Sequence, residues 1–147
     1  MKKLFLLSLI IIAISFTSCK KCDPTNSYDG IIIVDAIVRV IGSETGENYI
    51  TSPSDYEKEI EVSFDGGFNY NPVDFLQYSV FSLTTTASCS SGYDRNVLMN
   101  ESDSTLNYTV TITECPTCKN ITTINNWVLT TTIPSYYEEP TFNVKNR

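Results

Sequence analysis

Apolar and polar residues alternate along most of this chain with the two-residue period of a β-strand. Leu106, Tyr108, Val110 and Ile112 interleave with Asn107, Thr109, Thr111 and Thr113, which predicts a half-buried strand, the clearest in the sequence. Ile60, Val62 and Phe64 interleave with Glu59, Glu61, Ser63 and Asp65, and Asp65-Gly66-Gly67 then supplies a strong turn signal. Between Gly30 and Gly42 the even positions Ile32, Val34, Ala36, Val38 and Val40 are all apolar, predicting a buried central strand over Ile31–Ile41. Tyr49-Ile50 predicts a short edge strand, Phe75–Thr86 a longer extended run, and Val97-Leu98-Met99 a short one. Ile121–Ile124 and Trp127–Ile133 predict two further pieces separated by a bulge at Asn125-Asn126, where the apolar period slips. Phe142–Val144 closes the series, and Trp127 is expected in the core.

No window carries a sustained helical period, and Thr, Tyr, Ile and Val are abundant. The expected fold class is therefore all-β: an antiparallel β-sandwich of about seven strands, with a small β-barrel as the alternative. No internal repeat or linker divides the chain.

A different pattern opens the sequence. Lys2 and Lys3 precede an apolar run from Leu4 to Ile14, broken only by Ser8, and Ser15-Phe16-Thr17-Ser18 then leads to Cys19. The run is shorter than the roughly 20 residues of a spanning helix and has the layout of a secretory signal peptide. The small residues placed directly before a cysteine resemble a bacterial lipoprotein signal. That resemblance implies cleavage after residue 18 and lipidation of Cys19, with several acyl chains anchoring the protein stably. The expected organisation is a signal peptide over 1–18, a lipidated tether over 19–28 and one domain over 29–147.

Composition narrows the chemistry. The net charge is −7, and loss of Lys2 and Lys3 with the leader makes the remainder more acidic still, so nucleic acid is not an expected partner. There is no histidine, which removes Ser-His-Asp and Cys-His catalysis and the commonest metal ligand. Glu57, Glu59 and Glu61 read as a solvated strand face. Asn100-Glu101-Ser102-Asp103-Ser104, with Asp94 nearby, offers oxygen ligands but lacks the spacing of a calcium loop. No metal and no cofactor is expected.

With Cys19 assigned to lipid, Cys22, Cys89, Cys115 and Cys118 remain, an even number suited to disulfides in an oxidising compartment. Cys115-Pro116-Thr117-Cys118 can form a tight turn whose ends lie within disulfide reach. A local Cys115–Cys118 bond would leave Cys22–Cys89; pairing both members of the turn with Cys22 and Cys89 is equally feasible. Thiol–disulfide exchange by Cys115 and Cys118 is the alternative reading, although such motifs usually sit at a helix N-terminus, and here a Thr-rich strand precedes them. Phe68, Tyr70, Tyr136 and Tyr137 fall in predicted loops, where aromatic side chains either contact a protein or glycan ligand or plug the ends of a sandwich.

The chain resembles small lipoproteins of the Bacteroidota. The likeness is carried by Thr17-Ser18-Cys19, by the early strand followed by Glu44-Thr45-Gly46-Glu47-Asn48-Tyr49-Ile50, and by Asp103-Ser104-Thr105-Leu106 leading into a strand and a cysteine-bearing turn. It implies an immunoglobulin-like sandwich held by its lipid at the outer membrane of a bacterial envelope. Lys20-Lys21-Cys22 stands where such proteins carry an acidic export tag, which favours the periplasmic face. The expected role is a non-catalytic envelope module, binding a protein or glycan or serving structurally.

Overall fold

The computed structural model describes residues 24–42, 45–115 and 120–147. The leader, Cys19, Cys22 and Cys118 lie outside these described residues. The fold is all-β, with sheets that do not close into a barrel. Its ten described strands are β1 (Ser27–Gly30), β2 (Ile37–Val40), β3 (Glu47–Ile50), β4 (Ile60–Ser63), β5 (Asn71–Pro72), β6 (Tyr78–Ser88), β7 (Gly92–Asn100), β8 (Thr105–Thr113), β9 (Ile121–Thr131) and β10 (Thr141–Asn146). They form one sheet in the order β1-β7-β8-β10, a second β2-β4-β5 and a third β3-β6-β9.

The third sheet is the middle of the sandwich, because adjacent residues of a strand face opposite ways and here both faces are covered. Phe81, Leu83 and Val128 pack with Val97, Tyr108, Val110 and Ile112 of the β1-β7-β8-β10 sheet. Their neighbours Val80 and Leu129 pack with Ile60 and Val62 of the β2-β4-β5 sheet. This double burial explains why Tyr78–Ser88 lacks a clean polar face: Ser79 and Ser82 are as buried as Val80 and Phe81.

The sandwich expected from the sequence is present, and several details differ. Two pairings are parallel, β1 with β7 and β10 with β8, so the β1-β7-β8-β10 sheet is antiparallel only between β7 and β8. The run Ile31–Ile41 is not one strand. Ile31 N–H bonds to Val97 O at 3.0 Å and Ile33 N–H to Leu129 O at 2.9 Å, so the chain leaves β1, crosses the edge of the middle sheet and enters β2. Ile32 bridges to Thr130, while Val34 is left 61% exposed at the crossing.

There is no bulge at Asn125-Asn126. Strand β9 is continuous and pairs with β6 without a break, Asn126 opposite Leu83 and Asn125 opposite Thr84. The period slips because Asn126 occupies a core position. The stretch around Val97-Leu98-Met99 is also longer than expected, since β7 spans Gly92–Asn100. Finally, β1 takes in Ser27 and Tyr28, the end of the expected tether. Gly30 has φ +72, and a Cβ there would lie 2.0 Å from Val97 O; one at Gly92 would lie 2.3 Å from Thr25 O. Both glycines let this first strand approach β7.

Candidate functional site

The aromatic residues singled out from the sequence do not converge. Phe68 projects from the β4–β5 loop, 87% exposed. Tyr70, in the same loop, is half-buried beneath Arg39, whose guanidinium carbon lies 3.8 Å from the ring centroid. Arg39 also pairs with Glu61, which takes that acid out of any carboxylate pair. Tyr136 and Tyr137 stack on each other in the β9–β10 loop, centroids 4.8 Å apart. Among the described residues, no ring contact joins the two loops.

The loop carrying Phe68 is held by Asp65. Its carboxylate accepts from Phe68 N–H at 3.1 Å, Asn69 N–H at 3.0 Å, Ser63 Oγ–H at 2.6 Å and the Asn69 amide at 2.6 Å. The Asn69 backbone bond, followed by the Ser63 hydroxyl, holds the carboxyl down to about 2. Asp55 does the same for the 3₁₀ turn Pro53–Asp55, and the Ser52 hydroxyl is the foremost cause of its lowering to about 2. These acids organise turns. Asp103 accepts from Thr105 N–H, and Asn100 accepts from Ser102 N–H, so the 100–104 stretch also folds onto its own backbone. No group of three acidic or cysteine ligands suited to a metal occurs among the described residues.

Cys89 and Cys115 are each half of a disulfide. Cys115 is fully buried, and buried sulfurs are inert to exchange. Cys89 N–H donates to Asn120 O at 2.9 Å, and the Ser88 hydroxyl donates to Cys115 O at 3.3 Å, so both ends of the 115–120 segment meet the end of β6. The expected partners Cys22 and Cys118 lie outside the described residues.

The surface carries several shallow depressions. One, of about 140 Å³, lies beside the 3₁₀ turn and is lined mainly by Pro53, Tyr56, Ile60, Pro72, Val73 and Phe75. Another, of about 210 Å³, lies along the free edge of β9 and is lined by Tyr28, Ala36, Ile37, Val38, Arg95, Asn125 and Trp127. The crossing segment covers β9 at Leu129 and Thr130. Toward Asn125–Trp127, no ladder joins β2 to β9 among the described residues, and the cavity opens there between the outer sheets.

Arg95 gives this second cavity its chemistry. It sits on the inward face of β7 with Tyr93 and Val97 and is only 9% exposed. Its Nε–H donates to Asn126 Oδ1 at 3.0 Å and its Nη1 to Tyr93 O at 3.3 Å. Among the described residues, Arg95 makes no ion pair, and Nη2 has no hydrogen-bond acceptor. The Tyr28 ring lies 5.3 Å from the guanidinium carbon. Asn126, fully buried, is fixed in turn by donating to Leu83 O and Thr85 Oγ1, each at 2.9 Å, and its carbonyl accepts from Tyr108 O–H at 2.8 Å. Burial pushes the Tyr108 phenol up.

The sequence reading missed Arg95. The signal was present: Tyr93, Val97 and Met99 alternate, and that period carries Arg95 to the same inner face. Trp127, expected in the core, is half-buried, packs edge-on against Tyr56 at 5.9 Å and walls the cavity. The chain matches no protein-family profile, no curated protein and no solved structure.

Proposed function

We propose that the protein is a lipid-anchored, non-catalytic module of a bacterial cell envelope, held at the outer membrane through Cys19, that binds a protein or glycan through the cavity beside β9. The observation that carries the binding half is Arg95. The guanidinium lies between the Tyr28 and Tyr93 rings, 5.3 and 5.5 Å from their centroids, has no carboxylate partner among the described residues, and lines the depression. Asn126 fixes the guanidinium, and the Trp127 and Tyr28 side chains line the same mainly polar depression beside it. The anchoring half rests on the leader pattern ending in Thr17-Ser18-Cys19.

The test is retention of the purified full chain on a glycan array and on immobilised envelope extract, with Arg95→Gln in parallel. Retention weakened by the substitution is the expected result. Equal retention of both proteins moves binding away from this cavity, and retention of neither leaves a structural role only.

A further inference from the structure

We propose that the cavity beside β9 recognises the carboxylate of an acidic sugar, a uronate residue of an envelope glycan. The inference deepens the binding role above and rests on it. A guanidinium presents a planar fork of donors that matches a carboxylate. In Arg95 the Nε and Nη1 donors, which belong to different edges of the guanidinium, are taken by Asn126 Oδ1 and Tyr93 O, and Nη2, shared by both edges, is the donor left without a protein acceptor among the described residues. A carboxylate entering from the mouth completes it. Although the net charge is −7, no acid among the described residues pairs with Arg95.

Size and walls select the rest of the ligand. At about 210 Å³ the cavity falls below the range that encloses drug-sized ligands and suits a single residue. The Trp127 and Tyr28 side chains line it beside the guanidinium, and aromatic residues of this kind suit a sugar ring better than a short side chain. An aspartate or glutamate of a protein partner would use the guanidinium but leave the two rings without a flat counterpart.

Calorimetric titration of the full chain with D-glucuronate, D-glucose, acetate and N-acetylglutamate amide tests this directly. Saturable binding of glucuronate is expected, with glucose and acetate bound at least about tenfold more weakly, the scale of one charge-assisted contact. Arg95→Gln should weaken glucuronate by a similar factor, and Arg95→Lys should recover part of it. Ala36→Phe adds bulk to the lining at a second residue and serves if Arg95→Gln melts early. Glucuronate bound no better than acetate or N-acetylglutamate amide overturns the assignment of a sugar acid. So does binding that survives both Arg95→Gln and Ala36→Phe. If array and extract retention still depends on Arg95 in that event, the ligand class fails and the binding module stands; loss of both removes the module as well.

Discussion

At the scale of single residues, the fold turns on a polar cluster that hydrophobic patterning does not register. Asn126 is fully buried, bonded across its own sheet to Leu83 and Thr85 of β6 and to Arg95 of the β1-β7-β8-β10 sheet. Replacing it by alanine strands Arg95 Nε and the Thr85 hydroxyl, and unsatisfied buried groups of this kind cost about 1–3 kcal/mol each. Asn126→Ala should therefore lose about 2–4 kcal/mol in urea unfolding, whereas Asn107→Ala, on the outer face of β8, should stay within about 0.5 kcal/mol. Equal effects at the two positions would contradict the buried role. A second residue-scale effect depends on pH. Asp55 and Asp65 are held near 2, below the usual 3.8, by hydrogen bonds to their charged forms. A lowered folded pKa means their contribution is present above the unfolded value and is lost as the pH falls through the folded one. Stability should decline between about pH 4 and pH 2. Asp65→Asn should flatten part of that slope; an unchanged slope counts against the turn geometry.

At the scale of elements, legibility followed burial. Strand β8 was readable because one face is core and the other is not: Leu106, Tyr108, Val110 and Ile112 are buried, and the residues between them are not. Strand β4 was readable only over residues 60–62: beyond it Ser63 is buried and Phe64, expected on the core face, is 51% exposed. Strand β6 was less so, since the middle sheet is covered on both faces. Strand β9 was split because a buried Asn looks like a surface residue in a period count, although its hydrogen bonds make it part of the core. The segment from Ile31 to Val40 misled in the opposite way, since its apolar alternation continues across a crossing that only long-range contacts specify. No short-range signal assigns β1 to a parallel pairing with β7. That pairing predicts a sharp sensitivity to side chains at two glycines. Gly30→Ala combines a positive φ, about 1–2 kcal/mol for an ordinary residue, with a backbone clash, so it should lower the melting temperature and raise amide exchange in Ser27–Gly30 and its β7 partners. Gly46→Ala, also at positive φ but with open space at its Cβ, should show only the conformational penalty. If the two melt alike, β1 does not dock as described.

At the scale of the whole molecule, the candidate site arises where three sheets meet. Neither Tyr28, Arg95 nor Trp127 is near another in sequence, and none belongs to a motif. The sequence pointed instead to the exposed aromatic loops, because loops are where ligand contacts concentrate. Those loops hold two separate aromatic pairs, whereas the edge of β9 gathers a charge, two rings and an amide. The membrane assignment rests on the leader alone: labelled palmitate should enter the full chain and be lost in Cys19→Ala, and incorporation that persists would place the lipid elsewhere. The binding account is tested most directly by nuclear magnetic resonance of the full chain in detergent micelles, following the Arg95 guanidinium and the Trp127 indole N–H during glucuronate addition. Saturable, concerted shifts of both signals, with the Tyr136 and Tyr137 ring signals unmoved, are the predicted result. Unmoved Arg95 and Trp127 signals at saturating glucuronate would contradict it.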